Sequence, residues 1–187
     1  MNLQQLDRLL AAVAKKHRVK SFVVIGSLSV LGLVGERRIP DAMTVSTEVD
    51  AWPETDPERA FEIADDFGLG SAFEQEHGYY FDAVSPKLPT LPRAWQDRLI
   101  ARELPGGTRV KFLEPHDAAI AKLARGDPKD LRWIRAGIDA SILSAATLEY
   151  RFRETVFEDD EREGARRVLE GEIARVGLSP GKGKRPR

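Results

Sequence analysis

The chain has 187 residues, enough for one domain with a buried core, or for one domain carrying a small helical appendage. It contains no cysteine, which excludes thiol catalysis, cysteine-based zinc sites and iron–sulfur clusters, and its three histidines (His17, His77 and His116) are too scattered for a His-rich transition-metal site. Any catalytic metal must therefore rest on carboxylates, which suits magnesium or manganese, and a formal net charge of -1 gives no global attraction to nucleic acid or to an anionic membrane.

Leu3, Leu6, Leu9, Leu10 and Val13 recur at helical spacing and predict an amphipathic helix that ends near Lys15 to His17. This segment lacks the pattern of a signal peptide. The longest apolar stretch, 21–34, is too short for a membrane span and is interrupted by Gly26, Ser27, Ser29 and Gly32, so a cytoplasmic protein without a membrane partner is expected. Ser21-Phe-Val-Val-Ile25 is β-branched and aromatic and predicts a buried strand, followed by a Gly26-Ser27 turn and a helix over 28–34. The alternation in Met43-Thr-Val-Ser-Thr-Glu-Val-Asp50 predicts a second strand with acidic residues at its end.

Pro57 is placed to open a helix over 58–67, which Gly68 and Gly70 stop, and Tyr79 to Val84 predicts a third strand. After a Pro-rich loop, 86–92, the runs 99–104 and 109–113 flank Pro105-Gly-Gly107 as a hairpin. From Pro115 the pattern is helical, with helices expected over 118–124, 129–136, 144–157 and 159–176. The expectation is an α/β fold with a mixed sheet of four to five strands and flanking helices: a core over 1–114, a helical region over 115–177 packed on it, and a disordered basic tail over 178–187.

Taken alone, a Gly-Ser at a strand end is an ordinary turn, and carboxylates on an exposed strand end are ordinarily solvated. Their order gives them weight. Glu48 and Asp50, two apart on a strand, project from the same face, and Asp82 lies on the next strand. Clustered carboxylates repel one another and are poor for stability, but they suit a divalent cation bound with a nucleoside triphosphate. Small residues at Gly26-Ser27 let backbone N–H groups approach phosphate oxygens, and the Ser27 hydroxyl adds a donor.

Val24-Ile-Gly-Ser27, Ser46-Thr-Glu-Val-Asp50, Pro115-His-Asp-Ala-Ala-Ile-Ala-Lys122 and Gly126-Asp-Pro-Lys-Asp130 together resemble the minimal nucleotidyltransferases of the AbiEii and DUF6036 type, from about Val23 to about Phe152. The resemblance implies a DNA-polymerase-β-like core and transfer of a nucleotide from an NTP to an RNA or protein acceptor. It also implies a place in a toxin–antitoxin pair, with an antitoxin-type protein partner. By position it assigns Gly26, Ser27 and Lys122 to nucleotide and phosphate binding. Asp50, Glu48 and Asp130 fall to catalysis, and Glu48 and Asp50 to magnesium or manganese; Asp82, on the next strand, reads either as a third metal ligand or as a strand-end carboxylate near the surface. The first acidic residue of the expected Asp-x-Asp pair is Glu48 here, one methylene longer. Magnesium tolerates little distortion of its octahedron, so a catalytically weakened module that binds nucleotide and acts through a protein partner stands as the alternative. Without the resemblance, Lys122 reads more readily as a snorkelling surface lysine and Asp130 as a helix-capping or helix-flanking residue.

Overall fold

The computed structural model describes residues 1–35 and 38–177; the expected basic tail, 178–187, lies outside the described residues. Helix α1, Leu3–His17, starts in a capping box in which the Asn2 side chain accepts from Gln5 N and the Gln5 side chain accepts from Asn2 N. Its stripe of Leu6, Leu9, Leu10 and Val13 is fully buried. Strand β1, Ser21–Val24, is buried along its whole length and lies at the centre of a five-stranded sheet.

The other strands are β2, Glu48–Pro53, β3, Tyr80–Ala83, β4, Ile100–Glu103, and β5, Arg109–Phe112, in the order β3-β2-β1-β5-β4. β1 runs antiparallel to β2 and parallel to β5; β2 and β3 are parallel, and β4 and β5 form the expected antiparallel hairpin. Helices α2, Arg59–Phe67, and α3, Ala72–His77, lie between β2 and β3 in the chain, and α2 packs on both strands. Helix α4, Pro115–Arg125, follows β5, and α5, Pro128–Asp139, α6, Ala145–Arg153, and α7, Asp159–Arg175, gather around it. The mixed α/β fold with a helical C-terminal half is thus the architecture expected from the sequence.

Three local features differ from the sequence reading. The segment after Gly26-Ser27 is a 3-10 helix, Ser27–Leu33, not an α-helix. Ser29 closes the tight turn by directing both its backbone N–H and its hydroxyl to Gly26 O, at 3.4 and 2.8 Å. Gly32 presses on β5 so closely that a Cβ there would lie 2.8 Å from Phe112 Cβ.

Second, β2 begins at Glu48 rather than near Met43 and continues to Pro53, so its acidic residues stand at its start. Residues 41–43 form a 3-10 turn, and the N-terminal ammonium of Met1 donates to the carbonyls of Thr44 and Ser46. The Ser46 hydroxyl bonds both Glu48 N and Glu48 O. These local partners take backbone groups that a longer strand would need. Third, α3 has no counterpart among the expected elements, although Ser71 caps it by accepting from Glu74 N at 3.2 Å, a Ser-x-x-Glu start signal.

Candidate functional site

Because β1 and β2 are antiparallel, the start of β2 lies beside the end of β1. This is what brings Asp50 next to Gly26. Ile25 N donates to Asp50 O at 2.9 Å, and Val24 pairs with Ala51 across the ladder. Gly26 has φ +64, in the left-handed region, and a Cβ at that position would sit 1.9 Å from Asp50 Oδ2. Only glycine fits there: it supplies the backbone conformation and leaves the space that the carboxylate occupies.

The parallel register of β2 and β3 sets Asp50 directly opposite Asp82 and Glu48 opposite Tyr80. The two carboxyl groups therefore stand side by side on neighbouring strands. Burial pushes the Asp50 pKa up to about 7, helped by the negative charges of Asp82 and Glu48 and opposed by the more distant Lys122 and Arg125. Burial and Glu48 likewise raise Asp82. Glu48 lies on the same face of β2, one strand pair along. Its Oε2 accepts from the Tyr80 hydroxyl at 3.2 Å, and its Oε1 lies 3.7 Å from Lys129 Nζ.

The second half of the site comes from α4 and α5, joined by the turn Gly126-Asp127. Lys122 and Asp130 are only 3 % and 1 % exposed, and their side chains meet at 2.9 Å. Lys122 Nζ also donates to Ser27 Oγ at 2.8 Å and lies 5.1 Å from the centre of the Trp133 ring. Trp133 Nε1 in turn reaches Ser27 O and Met43 O, at 3.2 and 3.1 Å, which fastens α5 to the Gly-Ser turn. Arg125 closes the cluster with two bonds to Asp130, Nε to Oδ2 at 2.7 Å and an NH2 nitrogen to Oδ1 at 2.8 Å. Burial alone would raise the Asp130 pKa, but these hydrogen bonds outweigh it and hold the carboxylate below its ordinary value. Burial lowers the Lys122 pKa, a shift that Asp130 resists.

Between these halves lies a cavity of about 370 Å³. Gly26, Asp50, Lys122 and Arg125 form its polar end, and Ala118, Ala121 and Ala124 give it a flat apolar wall along α4. The strap from Val84 to Thr90 forms the facing wall and is tied to α7 by a hydrogen bond from Thr90 Oγ1 to Glu161 Oε2 at 3.1 Å. A larger hollow of about 570 Å³ at the far end of the sheet is lined by Ser21, Glu54, Arg109 and Lys111. There Glu54 and Lys111 neutralise each other at 2.6 Å, and the hydrogen bond from Lys111 holds the Glu54 carboxylate below its ordinary value.

Of the residues singled out in the sequence, Gly26, Asp50 and Lys122 line the smaller cavity. Asp82 supports it from behind Asp50, Ser27 and Asp130 brace Lys122, and Glu48 stands at the edge with Tyr80 and Lys129. Arg125 was not singled out, although it lies three residues after Lys122, on the same face of the helix. The strap and its Glu161 tie carry no local signal, since they join segments 71 residues apart. His116 is occupied elsewhere, with Nδ1 2.7 Å from Glu114 Oε1 and Nε2 accepting from Ser144 N.

Asp50 and Asp82 are oxygen donors of the kind a hard divalent cation takes: burial first, and neighbouring negative charge second, disfavours their ionised forms, and a cation would offset that charge. Among the described residues, no three His, Cys, Asp or Glu side chains converge into a ready metal cage. Magnesium commonly takes one or two carboxylates and completes its shell with water and substrate phosphates. No helix among the described residues is long and apolar enough to cross a membrane.

A family model described as "Nucleotidyltransferase of unknown function (DUF6036)" matches residues 1–174 of the chain. No curated protein and no solved structure matches it.

Proposed function

The chain belongs to the DUF6036 family of nucleotidyltransferases, and from that premise we propose that the cavity between Asp50 and α4 binds a nucleoside triphosphate with magnesium or manganese and transfers its nucleotide to an acceptor hydroxyl. The observation that carries this reading is the juxtaposition, in one cavity, of Asp50, which has Asp82 opposite it on the next strand, and a fixed cluster of cations. Phosphoryl-type transfer asks a protein mainly for positioning and for neutralisation of charge.

In this reading Asp50 and Asp82 would hold the divalent ion, with Glu48 at the edge of the set where Tyr80 and Lys129 engage it, and the ion would supply charge neutralisation at the phosphates. The absence of a side chain at Gly26 lets the Asp50 carboxylate lie against the backbone at the polar end of the cavity, with the Ser27 hydroxyl held nearby by Lys122. Lys122 and Arg125 bring positive charge to the same end, and Asp130 fixes both. The acceptor oxygen forms a bond to the α-phosphorus while the bond to the β-phosphate oxygen breaks and pyrophosphate leaves. The acceptor proton passes to solvent, since the ion would occupy the Asp50–Asp82 pair.

An RNA or protein hydroxyl as acceptor, and an antitoxin-type protein partner, rest on the likeness to AbiEii-type sequences in the segments 24–27 and 115–130. A second reading is favoured by Glu48, which is engaged with Tyr80 and Lys129: the protein binds nucleotide without turning it over and acts through a partner. Incubation with each of four α-labelled NTPs, total RNA and protein separates the two. Label incorporation that requires magnesium and Asp50 supports the enzyme. Magnesium-dependent binding without incorporation supports the binding module, and absence of both rejects the site.

A further inference from the structure

Two cations border the polar end of the cavity, and their hydrogen-bonding states differ. An ammonium has three N–H donors. Those of Lys122 are directed to Ser27 Oγ, to Asp130 Oδ1 and toward the face of Trp133. The side chain is only 4 % exposed, and its ammonium is held by these buried partners. A guanidinium has five N–H donors, and Arg125 directs two of them at Asp130, which leaves three on its terminal nitrogens. Its side chain is 53 % exposed and lines the cavity. Asp130, itself buried, grips the Nε edge of the fork, and Asp127 Oδ2 lies 3.3 Å from the same nitrogen.

We infer that Arg125, rather than Lys122, is the cation that touches the anionic end of the substrate, and that Lys122 is a positioning residue. Through Asp130, Lys122 fixes the orientation of the Arg125 fork; through Ser27 Oγ, it fixes the Gly-Ser turn. The ligand is a polyphosphate, whose oxygens match the paired N–H groups of a guanidinium better than a single ammonium. This assignment rests on the nucleotide-binding reading above and specifies which side chain makes the contact.

The division of labour has an electrostatic rationale. A buried lysine that must release Asp130 in order to greet a phosphate would leave that carboxylate with one partner fewer in a region of low dielectric, at a large cost. Arg125 can bind phosphate through its outward nitrogens while both bonds to Asp130 persist. The nearby phosphate charge then adds to the field that keeps the guanidinium in place.

The test is calorimetric titration of the full chain with inorganic tripolyphosphate and with magnesium–ATP, for the wild type, Arg125→Gln and Arg125→Lys, each checked by thermal melting. The inference predicts that Arg125→Gln loses roughly tenfold or more in affinity for both ligands, the size expected for charge-assisted hydrogen bonds. It predicts a shallower salt dependence of tripolyphosphate binding in Arg125→Gln. Arg125→Lys restores the salt slope but only part of the affinity, since a point charge replaces a fork. Folded Arg125→Gln that binds both ligands with wild-type affinity overturns the assignment while leaving the nucleotide-binding reading standing. Wild-type protein that binds neither ligand overturns both. Should Arg125→Gln melt far below the wild type, Arg125→Lys decides: full wild-type affinity there rejects the fork, and reduced affinity with the wild-type salt slope upholds it.

Discussion

In the folded chain Asp50 titrates near pH 7 because burial, Asp82 and Glu48 all disfavour its charged form. Its ordinary value is 3.8, so between pH 3.8 and about 7 the folded protein holds a proton that the unfolded chain releases. The sign follows: stability falls as the pH rises through that window. Asp50→Asn removes the ionisation, and at pH 8 the variant is expected to be more stable than the wild type by roughly 1–3 kcal/mol. Urea melts at pH 5 and pH 8 check this, and wild type and variant with parallel pH profiles would contradict it. Gly26→Ala has the opposite effect. It forces an L side chain to φ +64 and drives a methyl group into the Asp50 carboxylate, so a loss of roughly 1–3 kcal/mol is expected. Nucleotide binding should suffer with it, and a variant that melts and binds as the wild type does would show that the carboxylate is not held against Gly26. At this scale the sequence shows the acid at 50 and the glycine at 26, but not that they touch. That contact depends on the antiparallel pairing of β1 with β2, which residue spacing within either segment does not encode.

The α4–α5 corner is built around one buried carboxylate, Asp130, shared by Lys122 and Arg125. Asp130→Ala strands the buried Lys122 charge, and breaking a buried pair in this way costs roughly 3–5 kcal/mol. The double variant Lys122→Met with Asp130→Leu removes both charges and is expected to melt above Asp130→Ala. Denaturant unfolding of the three proteins reads the difference, and a double variant less stable than Asp130→Ala would show that packing rather than charge dominates the corner. Most elements were legible from local pattern: α1 from its leucine stripe and the β4–β5 hairpin from Pro105-Gly-Gly107. The helices after Pro115 follow from periodicity punctuated by Gly126 and Pro128. The start of β2 was not legible, because the alternation of Val45, Thr47 and Val49 runs on through residues whose backbone is claimed by Met1 and by the Ser46 side chain. The 3-10 form of Ser27–Leu33 was hidden as well, since its tightness comes from packing of Gly32 against Phe112, 80 residues away.

Across the whole molecule, the ends of β1 and β5, the starts of β2 and α4, and the strap before α7 meet at one end of the sheet. Parallel pairing of β1 with β5 points both strands at that end, and α4 leaves β5 there with its alanine face toward the strap. The fold class was readable as the order of strands and helices, whereas the cavity was not, because its walls come from segments far apart in the chain. A divalent cation and a proton compete for the Asp50–Asp82 pair, so magnesium should stabilise the protein more at pH 8 than at pH 5. The most direct test of the central claim is isothermal titration of ATP, GTP, CTP and UTP into the wild type and Asp50→Asn at pH 8, with magnesium and with EDTA. At least one nucleotide is predicted to bind the wild type with magnesium, and to bind far more weakly in EDTA or to Asp50→Asn. Binding of no nucleotide at millimolar concentration, or binding indifferent to both magnesium and Asp50, would contradict the account.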